Sequence, residues 1–191
     1  EEEAFRRANS TYVPTSVEPM LPHVLSSGVC SLSPGDERLA VTSEIVLSGS
    51  GEVVSAAFYR SRIVSDARLD YDQLDRIFAG RETAPEVVGE QLALARAAAA
   101  TLADRRAGSA LEVNSTEPSF QFDGEGNVTG AVAERQTEAH RLIEQLMVLT
   151  NEQVAELTSS RKIPSVYRVN EMPDPDRVER MLGQLASLGL P

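Results

Sequence analysis

The chain has 191 residues, of which 41% are hydrophobic and 25% are charged, so its composition is that of a globular protein and excludes a disordered or fibrous one. Its formal net charge of −11 has the wrong sign for a free-standing protein that binds nucleic acid by neutralising phosphates, although a local basic channel could still do so. No apolar run reaches the roughly 18 residues of a membrane span, and the single cysteine, Cys30, excludes an internal disulfide. We therefore expect one soluble, cytoplasmic domain without a membrane partner, in which Cys30 is a small buried side chain.

Prolines interrupt the first part of the chain, at positions 14, 19, 22 and 34. Each proline removes a backbone hydrogen-bond donor and biases the residue before it away from helix. Residues 1–36 are therefore predicted to form an ordered but irregular loop.

Two hairpins are predicted further along the chain. Residues 38–47 and 52–64 are rich in β-branched and apolar side chains and flank a Ser-Gly-Ser-Gly turn. Apolar residues also flank the sequence Asp-Gly-Glu-Gly-Asn at 123–127, which suits a turn with positive backbone angles.

Four helices are predicted from spacing and capping signals. Asp70 or Asp66 caps a short helix that ends at Gly80, and the others cover residues 83–106, residues 134–159 and a final stretch from Asp174 to about Leu188. The expected fold class is α+β, with a mixed sheet built from hairpins and several packed helices.

The helix over 134–159 has the clearest pattern. Seven apolar residues fall on one broad arc that is expected to face the core, namely Ala139, Leu142, Ile143, Leu146, Leu149, Val154 and Leu157. His140, Glu144 and Asn151 share an adjoining polar strip, because a helix rotates each residue by about 100°. Such a strip beside a buried arc is where a cleft can form.

No catalytic or metal-binding residue is predicted from local motifs. Asp66, Asp70, Asp72 and Asp75 lie close in sequence, but helix capping and solvation explain them better than magnesium binding. His23 and His140 are the only histidines, and no HExxH or nucleophile-elbow pattern occurs.

Three other side chains leave alternatives open. Tyr12 could stack on a nucleic-acid base or anchor its loop to the core, and Tyr71 could do the former or pack against the fold. Glu144 could be a surface carboxylate or a hydrogen-bond partner of Arg141 or His140.

Five segments in order resemble the catalytic domain of the ribonuclease II and ribonuclease R family. They are the block S-T-Y-V-P (10–14), P-M-L-P (19–22) and C-S-L-S-P (30–34); D-E-R-L-A (36–40); S-D-A-R-L-D-Y (65–71); A-H-R-L-I-E-Q-L-M (139–147) with Asn151; and Y-R-V-N-E-M-P-D-P (167–175). The resemblance extends through nearly the whole chain and identifies residues 1–191 as part of an RNB-type catalytic domain.

The resemblance implies a processive 3′-to-5′ hydrolytic exoribonuclease. Members of this family thread single-stranded RNA into a channel and release nucleoside 5′-monophosphates with magnesium. By this resemblance Tyr12 would stack near the terminal nucleotides, Tyr71 would contact the RNA end and influence the length of the final product, and Glu144 would accept hydrogen bonds from a base or sugar. A monomer is expected.

Departures from the family pattern qualify this expectation. Val113 stands where the family usually has a phenylalanine that clamps the bases, Gln145 where a second glutamate is common, and Asn170 where histidine is common. The family's metal-binding aspartate cluster should precede Glu1, and its catalytic arginine segment should follow Pro191.

We therefore expect this chain to form part of the walls of the enzyme's RNA channel. In this interpretation the full-length enzyme uses Mg²⁺, whereas this chain alone binds none and is inactive. The alternatives are a catalytically inactive RNB-like module that binds RNA or protein, and an acidic interaction domain unrelated to RNA.

Overall fold

The computed structural model describes residues 1–13, 16–107, 117–134, 136–169 and 171–189. The helices and strands follow one another in the order α1 (Glu2–Arg7), β1 (Thr11–Val13), β2 (Ser16–Glu18), β3 (Glu37–Leu47), β4 (Val53–Val64), α2 (Tyr71–Phe78), α3 (Gly89–Arg106), β5 (Glu117–Phe122), β6 (Val128–Glu134), α4 (Glu138–Ser160) and α5 (Pro175–Ser187). The chain divides into two compact units, Glu1–Gln153 and Val154–Pro191. Pro14, Val113 and Asn170, which the resemblance to the ribonuclease family involves, lie outside the described residues.

The expectation of an irregular loop over residues 1–36 is wrong, because this segment contains regular structure. It comprises α1, the antiparallel β1–β2 hairpin and a short helical segment, Val24–Val29, that is interrupted at Gly28. The backbone N–H of Met20 donates to the Ser10 hydroxyl at 3.0 Å, which closes the base of the hairpin. The Ser10 hydroxyl thus provides an acceptor for the backbone N–H that directly follows Pro19. Cys30, expected to be buried, is exposed.

The two predicted hairpins are confirmed. β3 pairs antiparallel with β4 and β5 with β6, each with a register shift near the turn. The Asp123 carboxylate accepts hydrogen bonds from the backbone N–H groups of Glu125 and Asn127, at 2.9 and 2.8 Å, which shapes the second turn. These hydrogen bonds lower the pKa of Asp123, with the bonds from Asn127 as the largest cause.

The α+β class is also confirmed, with one difference in the sheet. Within the described ranges the strands form three separate two-stranded antiparallel sheets rather than one mixed sheet. A two-stranded ribbon has marginal stability by itself, so these hairpins depend on packing against other parts of the protein.

Helices α2, α3 and α4 supply the buried core of the first unit. The buried apolar side chains of the described residues are Leu74, Ala99, Leu102, Ala139, Leu142 and Leu149. Three of the seven predicted core positions of α4 are thus buried, whereas Val154 is 40% exposed. Leucine side chains around small alanines allow the three helices to approach closely.

Two helices begin later than predicted. Helix α3 starts at Gly89 rather than at 83, because the N–H of Val88 bonds to the carbonyl of Pro85 and closes a separate turn. Helix α4 starts at Glu138 rather than at 134, since Glu134 still belongs to the ladder of β6.

The second unit contains the end of α4 and helix α5. Asp174 caps α5 as predicted, because its carboxylate accepts from the N–H of Asp176 at 2.9 Å. The predicted extended piece over 165–169 joins no strand ladder, and the Tyr167 hydroxyl instead lies 3.0 Å from the hydroxyl of Thr158. None of the helices in the part of the chain that the structure describes is long and apolar enough to cross a membrane.

The turn between β3 and β4 packs against α3 at Gly51. This glycine is buried and has a positive φ of 76°, and its carbonyl accepts a hydrogen bond from the Arg105 guanidinium. A Cβ at this position would lie 2.9 Å from Thr101 Cγ2 and 3.1 Å from Arg105 Cδ.

We predict that Gly51→Ala destabilises the protein by about 1–2 kcal/mol or more, because the left-handed backbone and the close approach both oppose a side chain. Gly49→Ala is the matched control, since nothing lies within 4 Å of a Cβ there. Urea unfolding followed by circular dichroism measures both variants. Equal losses of stability in the two would contradict this account of the turn.

Candidate functional site

Tyr71 is the first residue of α2 and stacks on His140 of α4. The two ring centroids lie 3.9 Å apart with an interplanar angle of 20°. The helix start is fixed by Asp70, whose carboxylate accepts from the N–H of Gln73 at 2.7 Å, so Asp70 rather than Asp66 is the cap. Tyr71 is 43% exposed although His140 covers one ring face. Part of Tyr71 is therefore accessible to solvent despite the stack.

Glu144 lies one helical turn after His140 on α4 and is exposed. Its Oε2 accepts a hydrogen bond from Gln136 Nε2 at 2.5 Å. Of the two alternatives, Glu144 is therefore a surface carboxylate, and its hydrogen-bond partner is Gln136 rather than Arg141 or His140. Its Oε1 has no hydrogen-bond partner within the described ranges and remains available as an acceptor.

Asp75 joins α2 to the first turn of α4. Its Oδ1 accepts a hydrogen bond from the backbone N–H of Ala139 at 3.0 Å, and Ala139 is fully buried. A helix leaves its first N–H groups without intrahelical partners, so Asp75 satisfies one of these from a neighbouring helix. The interpretation of Asp75 as a solvated carboxylate is therefore wrong. No local signal in the sequence marks this role, because Asp75 and Ala139 are 64 residues apart.

Arg96 of α3 contacts both the start of α4 and the end of α2. It donates to both carboxylate oxygens of Glu138, at 2.5 and 2.8 Å, and to the carbonyl of Phe78 at 3.3 Å. Its guanidinium also lies 4.6 Å from the centre of the Phe78 ring. The hydrogen bond to Glu138 raises the pKa of Arg96, against the opposing effect of desolvation.

An apolar cavity of about 570 Å³ lies next to this ion pair, between α2 and the alanine-rich face of α3. Tyr12, Tyr71 and Glu144 do not line it. The cavity is therefore separate from the stacked pair.

Tyr12 lies on β1 and is 77% exposed, with Val17 as its cross-strand neighbour. Within the described ranges, no hydrogen bond or ring contact joins it to Tyr71 or Glu144. Its segment is nevertheless connected to that of Tyr71, because Pro34 and Ser65 form an isolated parallel bridge and the N–H of Gly35 donates to the carbonyl of Ser65 at 3.0 Å. The structure thus brings Tyr71 close to the α4 strip, and it presents Tyr12 on a separate hairpin.

Contacts join several of the segments that carry the resemblance, namely Pro34 with Ser65, Arg38 with the carbonyl of Ser31, and Tyr71 with His140. The family model described as RNB domain matches residues 1–189. The chain belongs to the RNB domain family. The resemblance to ribonucleases II and R is thereby confirmed.

Individual relatives show the same assignment. Ribonuclease R of Vibrio parahaemolyticus is 35% identical over 196 residues, which cover all of this chain and 23% of the relative. Mycoplasma genitalium RNase R in complex with ribose-methylated single-stranded RNA matches 98% of this chain and 30% of its own, with a TM-score of 0.92 and 27% identity. Yeast Ssd1, described as a pseudonuclease, shares the fold over 98% of this chain and 23% of its own, with a TM-score of 0.70 and 17% identity. The chain thus spans about a quarter of the length of the curated relative it matches.

The described part of this RNB chain does not fit a magnesium site. It contains no group of three or more histidine, cysteine, aspartate or glutamate side chains that could hold a metal ion. Asp70 and Asp75, two of the four aspartates near α2, are engaged by backbone N–H groups at the starts of α2 and α4. No chemical step through a metal is therefore assigned to these residues.

One departure from the family pattern has a visible structural role. Gln145, which stands where a second glutamate is common, accepts from Arg106 Nη1 at 2.5 Å, and Arg106 also pairs with Glu152 at 2.8 Å. Gln145 thus helps to attach the end of α3 to α4. Val113 and Asn170 lie outside the described residues.

We predict that Asp75→Ala weakens the start of α4 by about 1–3 kcal/mol, because the N–H of buried Ala139 loses its acceptor. Asp75→Asn keeps an oxygen acceptor but removes the charge, so it should destabilise the start of α4 by about half as much as Asp75→Ala. Hydrogen exchange of peptides covering residues 137–142, followed by mass spectrometry, reports the local opening.

Asp72→Ala is the matched control, since Asp72 is an exposed aspartate on the same helix, and its effect should stay below about 0.5 kcal/mol. Unchanged exchange in Asp75→Ala would show that the bond to Ala139 does not hold the helix end.

Proposed function

We propose that this RNB chain belongs to a 3′-to-5′ hydrolytic exoribonuclease that degrades single-stranded RNA to nucleoside 5′-monophosphates, and that it forms part of the wall of the RNA channel. The observation that carries the proposal is the grouping on α2 and α4 of a half-exposed stacked tyrosine, Tyr71, and an available carboxylate, Glu144. The similarity to an RNase R that holds single-stranded RNA supports it.

The chemistry of Tyr71 and Glu144 suits RNA of any sequence. Every base has a π-face that can stack on a tyrosine ring, so such a contact tolerates all four bases. A carboxylate is only an acceptor and repels phosphates, so Glu144 must bind base N–H groups or the ribose 2′-hydroxyl. The pair would therefore hold a nucleotide by its base and sugar, and not by its backbone.

Tyr12 would provide a second stacking position. Its ring is 77% exposed on a hairpin that is closed by the bond between Ser10 and Met20. The Arg7 guanidinium adds a hydrogen bond to the carbonyl of Pro19 at 2.9 Å, at the other side of the hairpin base. These hydrogen bonds restrict the backbone of the hairpin, so less backbone freedom is lost when a base stacks on Tyr12.

Local basic side chains could offset the acidic net charge. Arg68 and Arg141 are exposed, and no side-chain hydrogen bond or ion pair engages either of them in the part of the chain described. Arg68 precedes Tyr71 by three residues, and Arg141 directly follows His140. We propose that both neutralise RNA phosphates beside the stacked pair, which a protein of net charge −11 can do only locally.

Cleavage itself would be performed by groups outside residues 1–191. Hydrolysis of a phosphodiester needs carboxylates that hold metal ions and a cation that stabilises the developing charge. We propose that the complete protein supplies both, and that the residues described here position the RNA. In this proposal the chain by itself binds RNA without hydrolysing it.

A catalytically inactive RNA- or protein-binding module is the second candidate. Yeast Ssd1 shares the fold and is described as a pseudonuclease, so the fold alone does not decide between an enzyme and a binding protein. Only the activity of the complete protein separates the two.

We expect the complete protein that carries this chain to release nucleoside 5′-monophosphates from poly(A) in the presence of Mg²⁺ and to stop when EDTA is added. Thin-layer chromatography of labelled RNA identifies the product. Binding of poly(A) without release of nucleotides would reject the enzyme and favour the inactive module.

In the same protein, Tyr12→Ala and Tyr71→Ala should each weaken the binding of single-stranded RNA about 5- to 100-fold, equivalent to the loss of about 1–3 kcal/mol of stacking. Fluorescence anisotropy with a labelled oligonucleotide measures the affinity. Tyr59→Ala is the matched control, because Tyr59 is 46% exposed on β4 and its hydroxyl donates to Glu44 of the neighbouring strand β3 at 2.9 Å. If Tyr59→Ala has the same effect as the other two variants, the proposed stacking positions are wrong.

A further inference from the structure

The ring of His140 is held in one orientation before any ligand binds. Its Nδ1 lies 2.8 Å from the hydroxyl of Thr137, the residue directly before α4. The first turn of α4 is itself fixed by the bonds of Asp75 to Ala139 and of Arg96 to Glu138. His140 is therefore a rigid surface against which another ring can be placed.

Tyr71 depends on that surface for its own orientation. It is the first residue of its helix and 43% exposed, so few neighbours restrict its side-chain torsions. The contact that fixes the ring plane is the stack on His140, at 3.9 Å and 20°. Without it the ring would sample several rotamers, and a ligand would have to select one of them on binding.

The stack also determines which side of Tyr71 a base can reach. His140 covers one face, so a base that stacks on Tyr71 must use the opposite face. The resulting order is base, Tyr71, His140, with Glu144 one turn beyond His140 on α4. Because His140 fixes the Tyr71 ring, it would also determine where a base on the opposite face lies relative to the Glu144 carboxylate.

We propose that His140 is a positioning residue, which orients Tyr71 for stacking on a base near the RNA end without contacting the RNA itself. The inference rests on the proposed function, because it assigns a role to the same RNA-binding surface. It predicts that His140 contributes to RNA binding only through Tyr71.

The test is a double-mutant cycle in the complete protein, with fluorescence anisotropy on labelled single-stranded RNA. His140→Ala should weaken binding about 3- to 10-fold when Tyr71 is present and less than about 2-fold in the Tyr71→Ala background. His140→Phe keeps a planar ring for stacking and should restore affinity to within about 2-fold of the unmodified protein. The length of the final RNA product should change in His140→Ala and return with His140→Phe.

The outcomes separate this inference from the function on which it rests. If Tyr71→Ala leaves RNA binding unchanged, the proposed function of this surface fails, and the role of His140 with it. If Tyr71→Ala weakens binding but His140→Ala has no effect, or has the same effect in both backgrounds, the positioning role alone is overturned. Thermal unfolding of each variant identifies a general loss of structure, and a loss that His140→Phe does not restore also counts against positioning.

Discussion

The start of helix α4 is the point on which the arrangement of α2, α3 and α4 depends. A helix presents unpaired N–H groups at its first turn, and burying them without partners costs free energy. Here Asp75 from α2 accepts from the N–H of buried Ala139, and Arg96 from α3 binds the carboxylate of Glu138. One helix end thus acquires partners from two other helices. The partners of the Ala139 N–H and of the Glu138 carboxylate therefore also fix where the side chains of that turn lie.

The candidate RNA-binding surface is a consequence of this packing. Tyr71 and Asp75 lie one turn apart on α2, so the bond from Asp75 to Ala139 brings Tyr71 against the next residue of α4, His140. Structural and functional side chains thus occupy the same faces of the same helices. The hydrogen bond between Gly35 and Ser65 connects the segment that precedes α2 to the end of the opening block, residues 10–34. A substitution in the core between these helices would therefore also shift Tyr71 and His140 at the surface.

Local signals in the sequence were sufficient to predict helix caps and turns, because their hydrogen bonds join residues that are close in sequence. Asp70 and Asp174 cap their own helices, and Asp123 shapes its own turn, so these features could be predicted from spacing alone. Family membership could also be predicted, because the five segments are ordered along the chain. The role of Asp75 could not, since its partner Ala139 is distant in sequence and the contact exists only after the helices pack. The hairpin at Tyr12 was missed for a similar reason, because the bond between Ser10 and Met20 spans the prolines that suggested an irregular loop.

The central claim is that a nucleotide of single-stranded RNA stacks on the open face of Tyr71 and bonds to Glu144. An experimental structure of the complete protein with a bound single-stranded oligonucleotide tests this claim most directly. The account predicts a base parallel to the Tyr71 ring on the side opposite His140, with a base or ribose donor within hydrogen-bonding distance of the Glu144 carboxylate. RNA that follows another surface and leaves both side chains without contact would contradict it.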